Sequence, residues 1–251
     1  NASARSRRKR FGNCAIPAAV KNSKIFSIKM KYTKRLSTLF SELDKCEKFA
    51  DVGCDHGYCA EFMLERDLCA HAVISDVSAE SLKKAQVLLA NYAAAGKVTS
   101  VCCDGLEKIP RDCDFVLIAG MGGEEIVNIL KNGFLPRKLL LQPMKNSRKV
   151  REYLLSQGME MTADYTFADG KFYDLIKAEQ TGGASAYSEN DLEYGRDNLL
   201  RPSADFLEKL QTEIEKKKKY LLSPVDGQAR EEIVLSLERL EEINRETRKY
   251  I

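Results

Sequence analysis

Phe49-Ala-Asp-Val-Gly-Cys-Asp-His-Gly-Tyr58 is the stretch from which the rest of this chain can be read. An apolar run ends in Asp51, breaks through Gly53 and Gly57, and passes at once into a helical pattern. Strand, glycine-bearing turn and helix together bring backbone N–H groups and a helix N-terminus close to a polar ligand. The glycines are spaced G-x-x-x-G, and no third glycine follows on the schedule of a dinucleotide fingerprint. That spacing disfavours a dinucleotide oxidoreductase. Further acidic strand ends at Asp76 and Asp104 bring the carboxylates to three. Such a set suits a nucleoside carrying hydroxyls and an amino group better than one carrying phosphates.

The pattern extends outward in alternating units. Leu36, Leu39, Phe40 and Leu43 predict a helix over 35–43. Strands are expected at 48–52, 70–75, 98–103, 113–119 and 138–142, with helices at 59–66, 79–95, 124–131 and 147–157. Ser78 can cap the helix that Gly96 ends. Asp169-Gly170 signals a hairpin between 159–167 and 172–179. Strands separated by helices imply an α/β fold, a mainly parallel, doubly wound sheet covered on both faces. The hairpin adds an antiparallel strand at one edge. Thr181-Gly-Gly-Ala-Ser185 reads as a linker. After it, Leu207, Leu210, Ile214 and Leu221, then Ile233, Leu237, Leu240 and Ile243, mark two amphipathic helices, the first rhythm interrupted by Lys217. Ser223-Pro-Val-Asp-Gly227 between them predicts an antiparallel helical hairpin. The expected domains are therefore 30–180 and 181–251.

Composition narrows the class. A chain of 251 residues can bury one good core and carry a smaller appendage. It has no apolar run near the ~18 residues of a membrane span, so no membrane is expected as partner. Eight cysteines at uneven spacing, no C-x-x-C pair and two histidines argue against a metal and against a disulfide framework. Adjacent Cys102 and Cys103 are expected as buried free thiols of a reducing compartment. Of the 40 Lys and Arg residues, eleven fall in 1–35, a segment without carboxylates; the other 29 face all 37 acids, a net −8. The body is thus no strongly basic binder of nucleic acid, and any RNA contact must be local. The basic head reads as a nucleic-acid-binding arm, a transit peptide or an extension outside the working protein, with translation starting at Met30. The last reading is preferred, which gives 1–29 no function of its own. Lys216–Lys219 is either a solvated helix face or a contact with RNA phosphates.

Ligands of doubly wound sheets sit at the carboxyl ends of the strands. Asp51, Gly53, Cys54, Asp55, His56 and Gly57 end the first strand; Asp76 and Val77 end the second. Asp104, Gly105 and Leu106 end the third, Ala119, Gly120, Met121 and Gly122 the fourth, and Gln142 and Pro143 the fifth. All converge on one rim. Asp76 can accept from ribose hydroxyls, Asp104 or neighbouring backbone from an adenine amino group, and Asp51 with the open glycine turn can hold a methionine-like amino acid end.

These residues resemble the bacterial tRNA (adenine(22)-N(1))-methyltransferases, class I S-adenosylmethionine enzymes. The likeness spans about residues 35–179. It is carried by Arg35-Leu36, Ala50-Asp-Val-Gly-Cys-Asp-His-Gly-Tyr58, Asp104-Gly-Leu106, Ile118-Ala-Gly-Met-Gly-Gly123 and Leu141-Gln-Pro143. The helical hairpin is similar in kind to the family's C-terminal coiled coil. Cys54 and Gly57 stand where the family often has Ser and Ala, and Met144 where it has Asn, so no role passes to Met144. The resemblance implies a Rossmann-like methyltransferase sheet, S-adenosyl-L-methionine as cofactor, tRNA as partner and a cytoplasmic enzyme. It alone supplies the nucleotide position. Nothing in the sequence fixes the oligomeric state, and a monomer is the working expectation.

N1 of adenine carries an in-plane lone pair and no proton, so its methylation needs alignment more than a strong base. Asp55, His56 and Tyr58 are expected to position the base, with Gly120 and Met121 shaping its slot; His56 as a mere brace of the turn is the rival reading. Candidate RNA contacts are Arg35, Gln142, Pro143, Lys145, Arg148, Lys149 and Arg151, together with Lys31 and Lys34. A methyltransferase of small molecules and an inactive RNA-binding module of the same fold are the alternatives.

Overall fold

A computed structural model of the chain describes residues 32–183, 186–224 and 226–250. The expected extension at 1–29, Lys31, and Ala184 and Ser185 of the linker lie outside the described residues. Seven strands, β1 (Lys48–Val52), β2 (His71–Asp76), β3 (Val98–Cys102), β4 (Phe115–Ala119), β5 (Lys138–Gln142), β6 (Glu160–Ala168) and β7 (Phe172–Glu179), form one sheet in the order 3-2-1-4-5-7-6. The first five are parallel; β7 runs antiparallel to β5, and β6 antiparallel to β7. The hairpin thus adds two strands, and its second strand is the inner one. Leu175, Ile176 and Ala178 of β7 are fully buried and need cover, whereas β6 interleaves Thr162, Asp164 and Thr166 and suits an edge. Strand order reverses between β1 and β4, which places a crevice at their carboxyl ends.

Among the described residues, six helices flank the sheet: α1 (Lys34–Glu42), α2 (Tyr58–Glu65), α3 (Ala79–Leu88), α4 (Ala90–Ala94), α5 (Gly123–Asn132) and α6 (Ser147–Ser156). β4 shows why both faces are covered. Phe115 and Leu117 join one core with Leu39 and Phe40 of α1 and Met63 of α2. Val116 and Ile118 join the other with Ile126 of α5 and Val150 of α6. The single helix expected over 79–95 breaks at Leu89, which turns fully into the core beneath Gly57.

The C-terminal part begins with two short helices that hydrophobic spacing did not signal, α7 (Glu189–Tyr194) and α8 (Arg196–Leu200). Ser188 and Asp191 form a capping box at the start of α7. The expected pair follows as α9 (Ala204–Leu221) and α10 (Gly227–Thr247). Arg230 donates to the Leu221 carbonyl and Lys218 pairs with Glu241 at 2.6 Å, so the two helices run in opposite directions. Phe206, Leu210, Ile214, Leu240 and Ile243 make their shared core with Tyr194.

This helical part docks on the open edge of the sheet. The outward amides of β6 at Asp164, Thr166 and Ala168 donate to side-chain oxygens of Asp197, Asn198 and Asp205 at 2.8, 2.9 and 2.8 Å. Side chains here satisfy donors that a further strand would otherwise take. Beneath them, Arg151 of α6 is fully buried, its Nε 2.9 and 3.0 Å from the two oxygens of Asp164. Its Nη1 donates to the carbonyls of Leu192 and Glu193, which ties α6 to α7.

Candidate active site

The turn after β1 is held open by backbone geometry. Gly53 and Gly57 take φ of +70° and +75°, and Asp55 between them takes +45°, a region that Asp tolerates better than most L residues. Gly53 and Cys54 donate their amides to the Ser75 carbonyl at 2.9 Å each, which ties the turn to the end of β2. The Asp76 carboxylate accepts from the amides of Ser78 at 2.8 Å and Asp55 at 3.3 Å. Two bonds leave an ionised carboxylate with acceptor capacity for a diol. Asp51 is 5% exposed and accepts from the Ala60 amide at 3.3 Å. Burial pushes its carboxyl up to about 7, against the Ala60 hydrogen bond and with help from the nearby Asp76 charge.

These groups wall a cavity of about 500 Å³ at the β1–β4 crevice. From the β1 turn it takes Asp51, Gly53, Cys54, Asp55, His56 and Tyr58; from β2 and β3, Asp76, Val77, Asp104 and Gly105; from β4, Ala119, Gly120 and Met121. Three residues expected in the site stand behind its wall. Gly57 faces α3, where an added Cβ would lie 2.9 Å from that of Ala85; Leu106 is buried against Gly133; and Gly122 packs on Lys145. Each serves the shape of the cavity from outside.

Other wall residues were not anticipated as ligand contacts. Ser75 is 1% exposed, and among the described residues its Oγ has no hydrogen-bond partner although the residue lines the cavity. Leu36 and Leu39 of α1 form an apolar side. Arg35, expected on the RNA surface, lines the cavity instead. Its Nε donates to Gln142 Oε1 at 2.5 Å, its backbone amide donates to Asp169, and its ζ carbon lies 5.6 Å from the Tyr173 ring centre. A Cβ on Gly120 would stand 3.0 Å from Arg35 Nη2, so the glycine lets the guanidinium close over β4. The apolar spacing of Leu36, Leu39, Phe40 and Leu43 marks the buried face of α1 and leaves the place of Arg35 over the strand ends unsignalled.

Asp55, His56 and Tyr58, expected to position a base, share the cavity with Gly120 and Met121, expected to shape its slot. His56 Nδ1 and Asp55 Oδ2 are 2.7 Å apart, and the His56 and Tyr58 rings are parallel within 2° at 5.5 Å between centres. That gap leaves no room for a third ring between them; a flat ligand must lie against one outer face. Met121 leans over the β1 turn, where its Cε would collide with any Cβ on Gly53.

The expected RNA surface changes most. Arg151 is withdrawn from it, being 0% exposed and bonded to Asp164. Gln142 and Pro143 are buried, Gln142 serving Arg35. Arg148 is engaged by Glu152, Glu189 and Glu193, Lys149 by Glu124, and Lys34 by Asp205. Lys145 stays exposed. Cys102, expected to be buried, is exposed at the outer strand β3, while Cys103 is buried. Among the described residues, no group of three or more His, Cys, Asp or Glu is placed to hold a metal ion, and no helix is long and apolar enough to cross a membrane.

Known proteins share this sequence pattern and fold. A family model described as "Methyltransferase domain" matches residues 32–176. A Mycoplasma pneumoniae protein named "Putative tRNA methyltransferase" is 31% identical over 159 residues, covering 61% of this chain and 74% of its own. The tRNA (adenine(22)-N(1))-methyltransferase of Bacillus subtilis is 27% identical over 172 residues, 66% of this chain and 72% of its own. A Streptococcus pneumoniae protein solved in complex with S-adenosyl-L-methionine superposes with a TM-score of 0.76 at 25% identity, covering 84% of this chain and 99% of that one.

Proposed function

Because the chain belongs to the methyltransferase family and, within it, to the tRNA (adenine(22)-N(1))-methyltransferases, we propose that it transfers a methyl group from S-adenosylmethionine to N1 of adenine 22 in tRNA. The observation that carries this reading is the meeting of Asp51, Asp76 and Asp104 with an open glycine turn around one cavity. A cavity of this size lies in the range of small-ligand sites. Its donors and acceptors fit the cofactor. Asp76 takes the ribose hydroxyls, and Asp104 with the adjoining backbone takes the adenine amino group. Asp51 faces the ammonium and Arg35 the carboxylate of the amino acid end. Ser75 Oγ, buried and without a partner among the described residues, is a polar group that such a ligand would satisfy.

Bound there, S-adenosylmethionine supplies a methyl group activated on a positively charged sulfur. The chain needs no strong base opposite it, because adenine N1 offers a free lone pair and the positive charge passes to the ring. Asp55, His56 and Tyr58 orient the base, and Gly120 and Met121 set the distance between base and methyl carbon. Leu36 and Leu39 keep water from one side of the cavity. The enzyme works where tRNA is found, in the cytoplasm. Incubating the protein with unmodified tRNA and isotopically labelled S-adenosylmethionine should give labelled 1-methyladenosine by nucleoside mass spectrometry. An unchanged nucleoside profile would overturn the proposal; label in an added small molecule instead would favour a different acceptor.

A further inference from the structure

A second cleft, of about 620 Å³, lies between the β5–α6 loop, the β6–β7 turn and α9. Lys145 comes from the loop, Lys171 from the turn, and Lys209 and Lys216 from the helix. Lys209 is occupied, pairing with Asp174 at 3.0 Å. Among the described residues, Lys145, Lys171 and Lys216 have no carboxylate within 4.0 Å, and all three are exposed. They come from three elements far apart in sequence, and an accidental cation run on one helix face would not bring them together.

The loops that line the cleft and the cavity touch each other. Met144 donates its amide to the Met121 carbonyl at 2.8 Å, and the Lys145 side chain packs 3.3 Å from where a Gly122 Cβ would be. Met121 faces the cavity, while Met144 and Lys145 face the cleft. A polymer with one base in the cavity would therefore lead its backbone over Met121 into the lysines. Phe172 and Met144 add apolar surface against which a neighbouring base can lie. Asp174, Glu193 and Glu213 also line the cleft; Lys209 and Arg151 hold Asp174, and Arg148 holds Glu193.

We propose that Lys145, Lys171 and Lys216 form a phosphate-binding track for the tRNA strand that flanks the target base. The inference rests on the tRNA reading above and locates where the substrate backbone runs. The three lysines act as point charges on phosphates, so they set affinity and its salt dependence and leave the choice of base to the cavity.

The test is the double variant Lys171→Glu/Lys216→Glu in the full chain, beside a control, Lys45→Glu/Arg137→Glu, on the opposite rim, at the amino ends of β1 and β5. Binding of an unmodified tRNA transcript is measured by fluorescence anisotropy across a salt series, and S-adenosylhomocysteine binding by calorimetry. The cleft variant should bind tRNA about tenfold or more weakly. Its slope of log affinity against log salt should flatten by about 0.7–0.9 for each lost phosphate contact. Cofactor affinity and the control should stay at wild-type values. Wild-type affinity and slope in the cleft variant would overturn the track, as would an equal loss in the control, which would mean bulk charge. The two proposals fail separately. Wild-type protein that methylates tRNA, with an unaffected cleft variant, removes only the track; wild-type protein that neither binds nor methylates tRNA removes both.

Discussion

Arg35 and Gln142, 107 residues apart, meet at 2.5 Å and join the first turn of α1 to the carboxyl end of β5 across the mouth of the cavity. One edge of the guanidinium is spent on Gln142, and the other lies over Gly120. Lysine would keep the charge but lose this fork. Arg35→Lys should weaken S-adenosylhomocysteine binding about tenfold, or about 1.4 kcal/mol. Calorimetry on the variant, with its melting temperature as a folding control, checks this.

With the amino acid end of the cofactor placed at Asp51 as proposed, binding should depend on pH. The Asp51 carboxyl rises to about 7 in the folded chain from an ordinary value of 3.8. Between those values the native state holds a proton that the unfolded state has lost, so this group's contribution to stability falls as pH rises through the window. Above it both states are ionised and the penalty stays constant. A cofactor ammonium favours the ionised form, so binding should tighten as pH rises towards 7 and should release a proton below it. Calorimetry in two buffers of different ionisation enthalpy reads that proton, and Asp51→Asn should abolish its release.

Variants at His56 and Asp55 should separate effects on catalysis from effects on folding. His56→Ala removes the ring that stacks on Tyr58. Methyl transfer should drop by about 10-fold or more, the scale expected for lost alignment, while cofactor binding stays measurable. Asp55→Ala should lose activity as well and cost about 1–2 kcal/mol of stability, because alanine resists the positive φ of that position. Asp55→Asn tolerates the backbone and separates the two effects. Single-turnover rates and denaturant melts together decide; full activity in both alanine variants would remove the assigned roles.

Arg151→Ala leaves Asp164 buried without its partner. A loss of about 3–5 kcal/mol is expected, the scale for stranding one half of a buried ion pair. Urea unfolding measures it. A cost below about 1 kcal/mol, as for an exposed pair, would contradict the burial described above.

Asn198→Ala withdraws the acceptor of the Thr166 amide and the donor to the Thr166 hydroxyl. Stability should fall by about 1–3 kcal/mol. Light scattering during thermal ramps should show earlier association than for wild type, because the freed Thr166 amide opens the middle of the β6 edge to another chain.

The fold was legible wherever the signal was local. Glycine turns, acidic strand ends and the two long amphipathic helices all announce themselves within a dozen residues. Contacts between distant residues were harder to read. Arg151 sits in a cationic run, Lys145 to Arg151, that looks like solvent-facing charge. Yet Ser147, Val150, Arg151 and Leu154 repeat at helical spacing, and all four are buried. The helix period was the better guide, and Asp164, thirteen residues on, supplies the compensating charge. Arg35 reaches the cavity because α1 crosses the strand ends, a placement that its own periodicity does not encode. α7 and α8 are too short for a hydrophobic rhythm, and the capping box of α7 was the available sign.

The side-chain seal along β6 makes the helical arm something other than a detachable accessory. Trimming the protein after the hairpin would strip Asp197, Asn198 and Asp205 from the rim they protect and leave a sheet ready to template its own copies. Inheritance of the two halves is therefore coupled: a lesion at the root of the arm would surface as insolubility of the catalytic half before any change in grip could be felt.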